Sequence, residues 1–382
     1  MLQRSGIYIL LVSVAGLVCL GAVMLFSTSA FAQESHGDIY YFIKRDVFWI
    51  LVGGTACVAG ALIDHHRWRE WWPWWFGISL FLLVLCFVPH VGMKLNGSHR
   101  WINLKIAAFQ PSEIAKLAAV FFLGWWFSRP ETSAKTILQG LIIPMGVVGV
   151  LMAPVAAEVD LGTTALIGAT AIAVCFIAGA NWFLIVGFFG VGISGLIGAA
   201  MLIPERYARI MSFRHPEADP LGKGLQQWQA LIAFGSGGAE GLGLGNGRQK
   251  LLYLPYAHTD FIFPMIGEEL GLIATCGVVF GFVMVILSGG LIASNARDRF
   301  GKLLAMGILL LISLQAAVNI GMTTSLLPNK GMPLPFISYG GSNLAVSLFM
   351  IGILVNIHRT GIPVAPPPER QTVLSGRSVP RI

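Results

Sequence analysis

Charge is the scarce ingredient of this sequence. Asp, Glu, Lys and Arg make up 11% of its 382 residues, against about 25% in an ordinary soluble domain. So few charges cannot cover a soluble surface of that size, and a chain that is 55% apolar is too hydrophobic to stay disordered. An integral membrane protein with several spans is what remains. Cysteine is sparse as well. The five present, Cys19, Cys57, Cys86, Cys175 and Cys276, lie inside apolar runs without C-x-x-C partners, which excludes a disulfide framework or a cysteine-based zinc site. A basic face is also missing. The 25 Lys and Arg outnumber the 18 Asp and Glu, but they are scattered through short polar segments as in membrane proteins, so nucleic acid is not an expected partner. No repeat of fixed period is present.

What the chain does have is apolar length. Ten runs qualify as spans: residues 7–31, 47–63, 74–89, 114–127, 137–157, 161–180, 182–203, 262–292, 303–327 and 344–357. The uncharged stretch 161–203 is too long for one span and is divided at Gly179-Ala180-Asn181. The runs 114–127 and 344–357 are short and need polar flanks. The expected fold is therefore all-α, a polytopic membrane domain over residues 1–360 with about ten transmembrane helices. Arg4, an apolar run and Ala30-Phe31-Ala32 imitate a signal peptide, yet the run exceeds the roughly 7–15 residues of a signal core, so the first helix is expected to be retained.

Orientation follows from Lys and Arg in short loops. With the N-terminus inside, twelve fall in inner segments and six in short outer loops. Both termini are thus expected in the cytoplasm, with residues 204–261 as a long extracytoplasmic loop between helices 7 and 8. Leu225, Trp228, Leu231 and Ile232 recur at helical spacing within that loop, the pattern of an amphipathic helix lying on the membrane surface. Residues 361–382, with Pro366-Pro367-Pro368 and no apolar period, read as a disordered cytoplasmic tail.

Charge at the edge of a span is expensive and marks function by default. Four segments carry it. In Gln110–Ala118, Pro111 suits a helix start, and Glu113 and Lys116 share one face three residues apart, so a structural ion pair and a cavity-lining pair are both open. Asp160, before Leu161-Gly162-Thr163-Thr164, favours the positive end of a helix, by capping or by function. In His258–Glu269, a His, an Asp and two Glu gather where the outer loop re-enters the membrane. A desolvated carboxylate there would have a raised pKa and serve as a general base, with helix capping by Thr259 or Asp260 as the plain alternative. The fourth, Leu327–Asn343, combines three glycines and three prolines among its residues 328–341, a non-helical backbone tolerated at membrane depth only inside protein or along a water-filled cavity. Two further patterns carry less. Gly241, Gly243, Gly245 and Gly247 lack the strand–helix context of a nucleotide loop, and Asp64-His65-His66 reads as a solvated cap beside Arg67 rather than a metal site.

Taken together these segments resemble the SEDS family (shape, elongation, division and sporulation) of bacterial membrane proteins. The matching stretches are NGSHRWI at 96–102, QPSEIAKLA at 110–118, DLGTT at 160–164, AFGSGG through GLGLGNGRQKLLYLP at 233–255, HTDFIFPMIGEELGLI at 258–273 and LPNKGMPLPFISYGGSN at 327–343. They stand in the family's order from the first loop to the last helix, and the 232–255 and 329–343 stretches look more like division-type than elongation-type members.

The resemblance implies a ten-helix membrane fold and a peptidoglycan glycosyltransferase. Its substrate is lipid II, its leaving group undecaprenyl pyrophosphate, its partner a class B penicillin-binding protein, and its setting the divisome or elongasome. The aspartate of the HTDF motif, here Asp260, is implied as the catalytic base. Around it the expected cavity residues are Arg100, Glu113, Lys116, Asp160, Arg206, Arg209, Arg214, Lys250, His258, Glu268, Glu269, Lys330 and Ser338. A divalent cation, Mg or Mn, is compatible with a pyrophosphate leaving group, with no ligands assigned. The chain departs from the family pattern at Tyr256, where a Glu is usual, at Val159, where a Pro is usual, and at Asn343, where a Ser is usual. A lipid II flippase without chemistry and a scaffold for division proteins are the other readings. For partner docking, the flank of the eighth and ninth helices offers Gly277, Gly281, Gly289 and Gly290 as close-approach sites.

Overall fold

A computed structural model describes residues 2–29, 40–95, 98–103, 108–202, 213, 216–219, 222, 224–251, 253–255 and 257–361. An apolar run in lipid satisfies its backbone by forming a helix, and each of the ten runs holds one. They are α1 (Leu2–Ser29), α2 (Tyr41–Leu62), α3 (His65–Leu85), α4 (Pro111–Ser128), α5 (Ile143–Ala157), α6 (Leu161–Ile177), α7 (Trp182–Leu202), α9 (Ile262–Ser294), α10 (Arg299–Thr323) and α11 (Gly341–Gly361). α8 (Leu225–Gly237) lies between α7 and α9. Among the described residues six helices are long and apolar enough to cross a membrane: α1, α2, α9, α10, α11, and α5 together with the π-helical turn Leu138–Ile142 ahead of it.

α4 is buried along nearly its whole length and packs against α3 and α10. α1 lies along α9, and α2 along α11. One apolar cluster joins α1, α9, α10 and α11, and a second fills the space among α3, α4, α5 and α6. Trp68, Trp75, Phe121 and Phe349 stack where α3, α4 and α11 meet.

The all-α expectation missed a small sheet. β1 (Gly92–Leu95), β2 (Ser98–Asn103) and β3 (Ala108–Phe109) form an antiparallel meander ahead of α4, and β2 carries Arg100. Asn96-Gly97, between β1 and β2 in the sequence, is a hairpin signal that a search for apolar length passes over.

α9 is not one helix. Gly271 has φ 76° and ψ −173°, a conformation open essentially only to glycine. The chain therefore runs as two half-helices, 262–270 and 272–294. The carbonyls of Glu268 and Glu269 accept from the N–H groups of Leu242 and Gly243, both at 2.9 Å. In exchange the N–H groups of Leu272 and Ile273 donate to the carbonyls of Gly238 and Ala239 at 3.0 and 3.4 Å. The glycine-rich arm 237–247 thus supplies the partners that a continuous helix would have supplied itself. Such contact needs bare backbone, since a Cβ on Gly241 would lie 2.3 Å from the Glu269 carbonyl oxygen.

α8 exists, and the residues it buries are Gln227, Ala230, Ala233 and Gly237; Leu225, Trp228 and Leu231 are part-buried and Ile232 is exposed. Small residues let α8 lie close on α9, and Gln227 Nε2 donates to the carbonyls of Met322 and Leu327 at 3.1 and 2.9 Å. Of the four glycines on the α9 flank, Gly281 meets Leu17 and Gly289 meets Leu309, so both serve internal packing, whereas Gly277 and Gly290 face open space. The tail expected to be disordered lies, from residue 362 onward, outside the described residues.

Gly271→Ala should lower the thermal unfolding temperature of the detergent-solubilised protein strongly, because its Cβ would sit 2.4 Å from the Ala239 carbonyl oxygen at a positive φ. Gly277→Ala, with nothing within 4 Å of the new Cβ, should leave it unchanged or slightly raised. Equal melting of the two variants would show that the break is not held as described.

Candidate functional site

Four helices start at one end of the bundle, and hydrogen bonds tie their starts together. The Gln110 N–H, just before α4, donates to Ser342 Oγ at the start of α11 (3.3 Å). Its side-chain Nε2 donates to Asp160 Oδ2 at the start of α6 (3.2 Å). The Tyr339 N–H donates to the His258 carbonyl ahead of α9 (3.0 Å). The N-termini of α4, α6, α9 and α11 therefore gather at one place. Each brings the positive end of its dipole there, which favours an anion.

Asp260 stands two residues before α9. Asn319 Nδ2, on α10, donates both to the Asp260 carbonyl (2.9 Å) and to the Met332 carbonyl (2.6 Å). This clamps the HTDF turn to the loop 327–340. The Asp260 carboxylate is part-buried and points at Gly331, where a Cβ would come within 2.8 Å of Oδ2. Its carboxylate accepts no hydrogen bond among the described residues. Burial pushes its pKa up to about 7; the Arg100 guanidinium pulls it down and the Asp160 charge raises it.

Asp160 is fully engaged as the α6 cap. Oδ1 accepts from the Thr163 N–H at 3.0 Å, and Oδ2 accepts from Thr163 Oγ1 at 2.9 Å and lies 3.8 Å from an Arg100 guanidinium nitrogen. Just before it Val159 has φ 65°, a strained conformation for a β-branched residue. That turn sends Glu158 inward. Glu158 is 1% exposed, and neither carboxylate oxygen meets an N–H or O–H donor. Burial pushes it up to about 8, with the Cys86 thiol beside it, so at neutral pH it is mostly a neutral acid. Arg100 is thus the shared cation of Asp160, Glu158 and Asp260.

Behind this lies a buried polar chain. Lys116 Nζ sits 2.7 Å from Glu113 Oε2 and donates to Gln315 Oε1, also at 2.7 Å. Gln315 Nε2 donates to the Pro333 carbonyl (2.9 Å), and Asn343 Nδ2 donates to Glu113 Oε2 (2.9 Å). Both charges are 3% exposed. The pair holds the loop 327–340 through Gln315 and the start of α11 through Asn343.

Other expected cavity residues do something else. Glu268 accepts from the N–H groups of Arg248 (2.8 Å) and Gln249 (3.2 Å). Glu269 accepts from Ser27 Oγ of α1 (2.6 Å) and the Gly245 N–H (3.0 Å), and pairs with Lys250 Nζ at 2.6 Å. These carboxylates bind the glycine-rich arm and the residues just after it to α9 and α1. Neither is placed as a general base, and Lys250, 5% exposed, is spent on Glu269 and Ser27. Ser338 Oγ accepts the Leu334 N–H (2.8 Å) and shapes its own loop. His258 is buried against Phe42 and Tyr339, and burial lowers its pKa to about 4. Lys330 is part-buried, its Cβ close to Gly162 at the start of α6. Arg206, Arg209, Arg214 and Tyr256 lie outside the described residues.

Gln110, Gln315, Asn319 and Asn343 were missed because only charge was weighed. Uncharged amides at span ends carry the same signal, since lipid offers them no partner.

The sequence pattern of the FtsW, RodA and SpoVE family, described as cell cycle protein, matches residues 8–361. The chain is 40% identical over 358 residues to a probable peptidoglycan glycosyltransferase FtsW of Geobacter metallireducens, covering 93% of this chain and 95% of that one. It is 38% identical over 346 residues to the stage V sporulation protein E of Bacillus subtilis, covering 90% and 94%. Among solved structures, a chain from work on the coordination of polymerization and crosslinking by a peptidoglycan synthase complex aligns with TM-score 0.76 at 25% identity, over 92% of this chain and 97% of that one. The rod shape determining protein RodA of Thermus thermophilus has the same fold, with TM-score 0.68 at 24% identity over 93% and 97%.

Lys116→Met and Glu113→Gln should each cost about 3–5 kcal/mol, because each strands a buried charge. The double variant should recover part of that loss. A double-mutant cycle on thermal unfolding with no coupling energy would show that the pair does not act as one unit.

Proposed function

The chain belongs to the FtsW/RodA/SpoVE family of cell cycle proteins, and from that premise we propose that it is a peptidoglycan glycosyltransferase that polymerises lipid II into glycan strands, with Asp260 as its general base. The observation that carries the reading is the Asp260 carboxylate, open and lifted to about 7, beside Arg100 where four helix N-termini gather. In the reaction, the 4-hydroxyl oxygen of the acceptor sugar attacks the anomeric carbon of the donor. The bond from that carbon to the phosphate oxygen breaks, undecaprenyl pyrophosphate leaves with the electron pair, and the hydroxyl proton passes to Asp260. Arg100 and the helix N-termini supply positive potential for the leaving pyrophosphate. The neutral Glu158 adds no repelling charge.

A Mg or Mn ion would find oxygen ligands at Asp260, since Asp160 is committed to Thr163, Gln110 and Arg100; when bound it would neutralise pyrophosphate charge. The partner under this reading is a class B penicillin-binding protein that crosslinks the strands, and the setting is septal synthesis during division, given the FtsW-named relatives. Both termini would be cytoplasmic, following the twelve-to-six distribution of basic residues. In a cysteine-free background, Tyr253→Cys should then react with an impermeant thiol reagent on intact cells and Asn295→Cys only after permeabilisation. The opposite pattern overturns the orientation.

Lipid II flipping is the second reading, favoured by the buried Glu113–Lys116 pair, and it needs no base. Asp260→Asn should lower polymerisation of lipid II by purified protein with its partner about 10²–10⁴-fold while sparing membrane insertion. The wild-type rate should fall as pH drops through about 7, because protonated Asp260 cannot accept a proton. A variant that polymerises at near wild-type rate removes Asp260 as the base; a wild type that moves lipid II without polymerising it favours the flippase.

A further inference from the structure

At the far end of the bundle a second polar cluster joins three segments that the proposed reaction does not use. Asp64, His65 and His66 sit at the turn from α2 to α3, Asp298 precedes α10, and Asn356 and Thr360 lie near the end of α11. His65 is 2% exposed, so it is not the solvated cap that its sequence suggested; Asp64 alone caps α3, accepting the His66 N–H at 3.0 Å.

His65 Nε2 lies 2.9 Å from Asp298 Oδ1 and donates its hydrogen there. Its other nitrogen then faces three oxygens: Asn356 Oδ1 at 3.2 Å, Asp64 Oδ1 at 3.4 Å and Thr360 Oγ1 at 3.5 Å. Asn356 cannot turn its amide hydrogens toward the ring. Its Oδ1 accepts the His65 N–H at 2.9 Å and its Nδ2 donates to the Ala61 carbonyl at 3.1 Å. A nitrogen lone pair set among oxygen lone pairs needs a positive centre between them. A proton would serve one of them, Asn356 Oδ1, at the long end of the N–H···O range, and leave Asp64 Oδ1 beyond it, whereas a metal ion draws several ligands at once. Ligands about 2.0–2.1 Å from a tetrahedral zinc ion stand about 3.3 Å from one another, near the 3.4 Å between His65 Nδ1 and Asp64 Oδ1. His66 Nδ1 closes on the same carboxylate at 2.8 Å, and the ligating atoms of Asp64, His65 and His66 all lie within 4.8 Å of one another.

We propose that Asp64, His65 and His66 bind one zinc ion, with Asp298 holding the far nitrogen of His65 as a second-shell carboxylate. Two imidazoles and a carboxylate leave a fourth position for water or Asn356 Oδ1. Holding a ligating histidine through its other ring N–H is the usual way a site fixes tautomer and ring direction. Asp64 and His66 are about half exposed, so the ion has a path in. Binding would tie the ends of α2, α3, α10 and α11 together at the opposite pole from Asp260.

The test uses full-length protein purified without a histidine tag, stripped with chelator and titrated with zinc chloride alone. Elemental analysis after dialysis should find about one zinc per chain, and the melting temperature should rise with zinc. His66→Ala and Asp64→Asn, both at exposed positions, should lose the ion and the thermal shift, and Asp298→Asn should weaken binding about 10–100-fold. Polymerisation need not be measured, so the outcome is independent of the proposed activity. If the wild type holds no more zinc than His66→Ala, or if binding survives in both ligand variants, the cluster is held by hydrogen bonds alone and the proposal fails.

Discussion

A backbone group left open inside a bilayer has no water to bond with, and the architecture around Asp260 depends on how that constraint is met at Gly271. The break there opens two carbonyls and two N–H groups of α9. The arm 237–247 closes all four, and it reaches them because glycine leaves the approach clear. Glu269 adds a side-chain bond to the arm at Gly245 and Glu268 holds the residues just after it, Arg248 and Gln249, while Ser27 and Lys250 extend the fastening to α1. The first half-helix, 262–270, is therefore held as a piece distinct from the rest of α9. Asp260 stands directly in front of that piece, so its position is set by the arm as much as by the helix.

Side-chain charge obeys the same constraint, and it is met in two ways. Glu113 and Lys116, or Glu269 and Lys250, neutralise each other and then spend their remaining bonding capacity on amides, hydroxyls and backbone. Those groups hold loops. Among the described residues Asp260 accepts no such bond and Glu158 has only the Cys86 thiol beside it; burial holds both nearer the neutral acid form. A carboxylate that keeps its oxygens open is poorly stabilised as an ion, and this makes it able to exchange a proton near neutral pH.

The sequence made the helices legible because lipid leaves only one backbone solution for each apolar run, and all ten runs hold a helix. It also made Asp160, Asp260, Glu113 and Lys116 legible, because charge near a span stands out against 55% apolar composition. It did not show which of the neighbouring carboxylates stays open. Glu268 and Glu269 look as reactive as Asp260 on paper, and only the folded arm, whose N–H groups they accept, assigns them to structure. The face by which α8 packs on the protein was not foreseen, because only its apolar spacing was read. Against another helix, close approach by Ala230, Ala233 and Gly237 outweighs apolar bulk. The hairpin β1–β2 was lost because its signal is a turn dipeptide rather than length.

α10 connects the two polar ends of the molecule. Near its last turns Gln315 and Asn319 hold the Pro333 and Met332 carbonyls and the Asp260 carbonyl; at its first turn Asp298 both caps the helix through the Gly301 N–H at 2.9 Å and holds His65. Between them the helix is largely buried, with Gly307 drawn tight against Val120 of α4. A buried helix with intact hydrogen bonds moves as a body, because close-packed interiors shift between discrete arrangements rather than stretch. A restraint on Asp298 therefore limits how α10 can tilt or slide. The loop and turn that flank Asp260 hang from the other end of the same helix, so the two poles share one mechanical element although no side chain of either touches the other.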